Sequence, residues 1–171
     1  LPAPPPTASP RGYAYQFACP PRKVNNQHVE LPKATFIDLE YSGIGGAVAA
    51  GLDAMQTGLS GSLSSGLHHA RRGAGRGYCT FNGLVIAARA ALDAGARAVL
   101  ILDLDAHCGG GTAELIADEP RIWQQDVSVD DFDSYASSQR MHLHMVRDSA
   151  AYLDQVRTCL RWADDCAVPF D

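Results

Sequence analysis

The 171-residue sequence lacks several features that would assign it quickly to a class. No apolar run approaches the roughly 20 residues needed to cross a bilayer, so it gives no sign of a membrane partner. Its start, LPAPPPTASPRGY, lacks the charged-then-apolar order of a secretory signal. It also lacks an initiator Met, which reads as a processed product or a fragment. The five cysteines (19, 79, 108, 159 and 166) are odd in number and show no CxxC spacing. They read as free thiols in a reducing, cytoplasmic setting rather than a disulfide framework. Basic residues are few, 14 against 19 acidic, for a net charge of −5. That argues against direct nucleic-acid binding through phosphates. No repeat of 20–50 residues is visible.

What is present is the composition of a globular domain, 46% hydrophobic and 19% charged, long enough for a single core. Charge is uneven: residues 114–171 hold twelve acidic and five basic groups, against seven and nine before them. Eight of the ten prolines fall in residues 1–32, predicting a poorly ordered leading segment, with the domain over 33–171. Residues 43–83 hold eleven of the sixteen glycines, around an expected helix at 44–57.

From Asn82 onward the pattern sharpens. Asn82 is a good N-cap, LVIAARAALDA follows, and Gly95 suits the stop. AVLILDLD at 98–105 has the continuous apolar character of a strand buried on both faces of a parallel sheet. Further elements are expected as a helix at 112–119, a strand at 124–130, and a helix over 148–167 with Asp148 as N-cap. This alternation predicts an α/β domain with a mostly parallel sheet, whose ligands collect at the carboxyl ends of strands.

One such end carries Asp103-Leu104-Asp105-Ala106-His107. In strand geometry positions 103, 105 and 107 share a side, about 6.6 Å apart per step. Two carboxylates and an imidazole there are costly to leave unpaired, and a divalent cation offsets that cost. The plainer reading is an Asp capping the next helix and a surface His. A second cluster is His68-His69, then Tyr78-Cys79 and Asn82. Paired histidines suit acid/base work near neutral pH, although alone they are more often ordinary loop residues. Arg71, Arg72 and Arg76 read as a solvated basic loop. Gly109-Gly110-Gly111-Thr112 lacks the Lys of a phosphate-binding P-loop.

In order, GLHHARRGAGRGYCTFNGLVIAA and VLILDLDAHCGGGT resemble the zinc-dependent histone deacetylase family. With the acetylpolyamine amidohydrolases and acetoin-utilisation proteins, that family shares the arginase–deacetylase fold. The resemblance runs from about residue 42 to the end and is strongest at 66–112. It implies a three-layer α/β fold, incomplete here, with helices on both faces of the sheet. It implies an amidohydrolase acting on acetylated lysine or polyamine. Asp105 and His107 would be ligands of a catalytic Zn2+. His69 would be the general base for the attacking water and His68 its charge-tuned partner, hydrogen-bonded to Asp103. Gly77 and Tyr78 would line the acyl channel, with Cys79 at its floor. A structural K+ would sit at Asp103, Asp105, His107, Ser128 and Val129.

Three departures stand out. Cys108 replaces a second His, and Gly110 stands where the family carries the Asp or Asn that orients the second catalytic His. The family's third zinc ligand and its transition-state Tyr lie beyond the segment matching Ala167–Asp171. Replacement ligands would come from Asp130, Asp131, Asp133, His142 or His144, all read here mainly as solvated loop residues. The 171-residue chain alone is therefore expected to show little deacetylase activity, and an open sheet edge would favour self-association. The rival expectation is an inactive deacetylase-like module that keeps a structural metal site and acts by binding. An arginase-like hydrolase fits the His-His and aromatic-Cys pieces less well.

Overall fold

The computed structural model describes residues 22–24, 27–29 and 33–171, with side chains from residue 42 onward. The Pro-rich segment lies largely outside these residues. The elements run β1 (Arg22–Val24), β2 (Gln27–Val29), α1 (Lys33–Thr57), α2 (Gly83–Asp93) and β3 (Val99–Asp103). They continue with α3 (Gly110–Ile116), β4 (Ile122–Ser128), β5 (Met141–Met145) and α4 (Ser149–Asp165). β1 and β2 form a small antiparallel pair, and β3-β4-β5 form a parallel sheet.

Parallel register pairs Val99 with Ile122, Ile101 with Gln124 and Asp103 with Asp126, so these residues share one face. That face meets α2 and α3 through a core of Val85, Ala88, Leu92, Ile101, Ile116 and Ile122. The opposite face carries Trp123 and His142, which pack on Trp162 of α4. Helices thus cover both faces of a parallel sheet, in the three-layer α/β arrangement expected. α1 packs outside, against α2.

Local signals explain most boundaries. Asn82 caps α2 by accepting from the Val85 N–H at 3.1 Å. Gly95 follows α2 at φ +109°, a conformation that glycine adopts freely. Asp148 caps α4 by accepting from the Ala150 N–H.

Several expectations need correction: β4 runs over Ile122–Ser128 rather than 124–130, and α3 over Gly110–Ile116 rather than 112–119. α1 begins at Lys33 rather than 44, because KATFIDLEYS carries no Pro or Gly to stop it. β3 ends at Asp103 rather than 105. Residues 141–145 form a strand rather than solvated loop, because buried Gln125 bonds both His142 and His144.

Candidate active site

The carboxyl end of β3 and the loop before α2 converge on one cavity of about 510 Å³. Its walls include His68, His69, Gly77, Tyr78, Cys79, Asp103, Asp105, His107 and Phe132. The loop reaches it because the Asn82 amide donates to the carbonyls of His68 (3.2 Å) and Ala70 (3.5 Å), and to Thr112 Oγ1 (2.9 Å). One buried side chain thereby ties the His-His segment to the starts of α2 and α3. Gly77, at φ +54°, passes directly beside the His69 ring, and a Cβ there would run into the imidazole.

The two histidines face each other. His68 Nε2 and His69 Nε2 lie 3.1 Å apart, and each ring turns its other nitrogen to a carboxylate. His68 Nδ1 meets Asp103 Oδ2 at 2.6 Å, and His69 Nδ1 meets Asp133 Oδ2 at 3.1 Å. Burial opposes charge on His68, but the Asp103 bond and the charges of Asp103, Asp105 and Asp126 outweigh it and raise its pKa. His69 shifts the other way: burial and the neighbouring His68 charge lower its pKa despite Asp133. The two shifts run in opposite directions, so charge is favoured on His68 over His69.

Asp105 and His107 stand beside this pair. Asp103 Oδ1 accepts from the Asp105 N–H at 3.2 Å, and Asp105 Oδ1 accepts from the His107 N–H at 2.9 Å. These successive turns fold the chain back, so positions 105 and 107 are closer than strand spacing would place them. Asp105 Oδ1 and His107 Nδ1 are 3.1 Å apart, and both side chains are about half exposed. Two ligands of a tetrahedral zinc with bonds of about 2.0 Å would be about 3.3 Å apart, so this pair suits one metal. The set is incomplete: among the described residues no group of three or more His, Cys, Asp or Glu comes together to hold an ion. Asp105 is held below the usual carboxylate range; burial works against this, and the His107 N–H and the His68 charge prevail.

The other candidate ligands are engaged elsewhere. Asp130 accepts from the Phe132 N–H, Asp131 lies 3.7 Å from Arg147, and His142 and His144 hold Gln125. Cys108 is fully buried, its thiol 3.3 Å from the Asp130 carbonyl and pushed up in pKa by burial. Ser128 is buried with its Oγ 3.2 Å from the His107 carbonyl oxygen, whereas Val129 is exposed. The arginine loop is exposed at Arg72 and Arg76, yet its charges are paired: Arg71 with Glu114 and Asp133, Arg72 with Asp118, and Arg76 with Asp133.

Sequence reasoning missed Asp126 and Phe132. Phe132 sets its ring edge-on to His69 (5.0 Å between centroids) and His107 (5.9 Å) and lines the same cavity as Tyr78. Nothing in D-D-F-D signals that. Asp126 is fully buried, accepting from the Gly109 N–H at 2.7 Å and from Ser128 Oγ. Burial, aided by Asp103, raises its pKa from 3.8 to about 6. Below pH 3.8 it is protonated in both folded and unfolded states. As pH rises from there to about 6 the unfolded chain ionises first, so stability falls across that window and stays lower above it. Asp126→Asn is expected to raise stability at pH 7.5 by at most about 3 kcal/mol and to flatten this window in pH-dependent urea melts. An unchanged pH profile would remove Asp126 as its source.

A family model described as the histone deacetylase domain matches residues 22–154. The chain belongs to the histone deacetylase family. The human polyamine deacetylase HDAC10 is 36% identical over 84 residues, 44% of this chain and 13% of its own. Acetylpolyamine amidohydrolase 2 of Pseudomonas aeruginosa is 51% identical over 55 residues, 32% of this chain and 16% of its own. The solved acetylpolyamine aminohydrolase of Burkholderia pseudomallei superposes with a TM-score of 0.55 at 26% identity. That match covers 70% of this chain and 40% of the other, so the chain spans less than half the length of each of these family members. Among the described residues, no helix is long and apolar enough to cross a membrane.

Proposed function

We propose that this site belongs to a zinc-dependent amidohydrolase that removes acetyl groups from lysine or polyamine amines. The supporting observation is the facing histidine pair, each backed by its own carboxylate, beside the Asp105–His107 pair in one cavity. Asp105 and His107 would hold the zinc, which supplies Lewis-acid polarisation of an amide carbonyl when bound. The K+ reading keeps Asp103, Asp105, His107, Ser128 and Val129 as its residues.

The remaining chemistry falls to this chain's side chains. His69, neutral with its Nδ1 on Asp133, takes a proton from the attacking water at Nε2. His68, kept charged by Asp103, holds a proton 3.1 Å away that can be returned to the leaving amine. Water adds to the carbonyl carbon, the C–N bond breaks, and acetate and the free amine leave. Tyr78 and Phe132 wall the entry for the acyl-bearing chain. A cytoplasmic setting fits the free thiols of Cys79, Cys108, Cys159 and Cys166. The open sides of β3 and β5 in the described sheet support self-association, which sedimentation would read.

The second reading, an inactive module acting by binding, is supported by the incomplete donor set among the described residues. The test is acetate release from an acetylated diamine and an acetyl-lysine peptide by the zinc-loaded product of the complete gene. Turnover abolished by chelation is expected. A folded, zinc-bearing protein that releases no acetate from either would leave the binding module. In the active protein, Asp103→Asn should keep its zinc and lose about 10–100-fold in rate, since Asp103 touches His68. Loss of zinc in that variant would make Asp103 a direct ligand instead.

A further inference from the structure

We infer that Asp133, in the loop after β4, is the positioning residue for His69, filling the space beside Gly110 and fixing which ring nitrogen carries the proton. The inference rests on the amidohydrolase reading for its catalytic meaning, but its geometry stands apart from that reading.

Asp133 lies 64 residues from His69 in sequence, yet its Oδ2 reaches His69 Nδ1 at 3.1 Å. Its side chain is fully buried. Oδ2 also accepts from the Gly111 N–H at 3.2 Å, while Oδ1 pairs with Arg71 and, at 3.2 Å, with Arg76. The carboxylate is thus pinned from three sides and has little freedom to turn away. The backbone adopts φ +62° at Asp133 to make this placement, a left-handed conformation that non-glycine residues seldom take.

Gly110 offers His69 no side chain, and it has no room for one. A Cβ built there would run into the Asp133 carbonyl, with Asp133 Cγ and an Arg71 guanidinium nitrogen each at 3.0 Å. A side chain at 110 and the Asp133 loop in this position exclude each other. The orienting carboxylate therefore comes from a different element of the chain.

The consequence is a tautomer. His69 Nε2 faces His68 Nε2, so only one proton fits between the two rings. A carboxylate on His69 Nδ1 accepts a proton there and leaves Nε2 with its lone pair turned to His68 Nε2. Among the described residues, Asp133 is the partner that His69 Nδ1 meets.

The test is the nitrogen NMR spectrum of the whole chain with 15N-labelled histidine, His69 being assigned by His69→Gln. The wild type should show His69 protonated at Nδ1 and bare at Nε2. Asp133→Ala should lose that pattern, and Asp133→Asn should keep it, because an amide oxygen still accepts from Nδ1. Arg71→Leu combined with Arg76→Leu should also keep it. A wild-type His69 protonated at Nε2 overturns the proposal even if every variant fails to fold. An unchanged pattern in folded Asp133→Ala, or its loss in the double arginine variant alone, would reduce Asp133 to an ion-pair anchor. Failure of the amidohydrolase reading would show separately, as absent acetate release with the tautomer result intact.

Discussion

His69→Ala is expected to lower zinc-dependent acetate release about 10²–10⁴-fold, the range for removing a positioned general base. The loss should fall on kcat with KM nearly unchanged, because the role proposed for His69 is on the reacting water rather than on the bound acyl chain. The assignment follows from the asymmetry of the pair. His69 is pushed below the ordinary imidazole value by burial and by the charge on His68, while His68 is raised by Asp103. Only the neutral ring can accept a proton. The acidic limb of the kcat/KM profile should accordingly lie below pH 6.5. A His69→Ala variant that keeps most of its turnover would move the base to His68.

Asn82→Ala is expected to destabilise the fold by about 2–4 kcal/mol, the sum of a lost N-cap and of buried acceptors left without a donor. Asn82 is 4% exposed and serves two ends at once. Its oxygen caps α2, and its amide holds the His68 and Ala70 carbonyls and Thr112. Equilibrium urea melts should show the loss, and the histidine loop should become more accessible to hydrogen exchange than α4. A change below about 0.5 kcal/mol would mean that Thr112 and water replace the amide fully.

Asn82 also shows how much of this molecule was legible beforehand. Its cap is a local rule, readable from one polar residue before a helical run, and so are Gly95 and Asp148. β3 was equally plain as an unbroken apolar run that ends in acids, although its second face, at Leu100 and Leu102, is only half-buried. The second role of Asn82 was not readable, because its amide reaches His68 and Thr112 across the fold. β5 escaped for a related reason. MHLHM looks solvated until buried Gln125 supplies a partner for each His.

In the site, motif spacing brought out His68, His69, Asp103, Asp105 and His107, and the structure brings all five to one cavity. Asp133 and Phe132 belong to the same place but come from a loop whose sequence, D-D-F-D, carries the look of a charged surface. Their position depends on Gly110 and on the arginines of another loop, and no local pattern encodes that. Asp126 was hidden inside a strand of mixed polarity, where its burial could not be read.

The most direct test of the site is a zinc titration of the 15N-histidine-labelled chain. The first equivalent should perturb the ring nitrogens of His107, and Asp105→Ala should abolish that response while His142 and His144 stay unmoved. A response centred on His142 and His144, or one at His107 that survives Asp105→Ala, would contradict the assignment of the β3 exit as the metal-binding half of a deacetylase site.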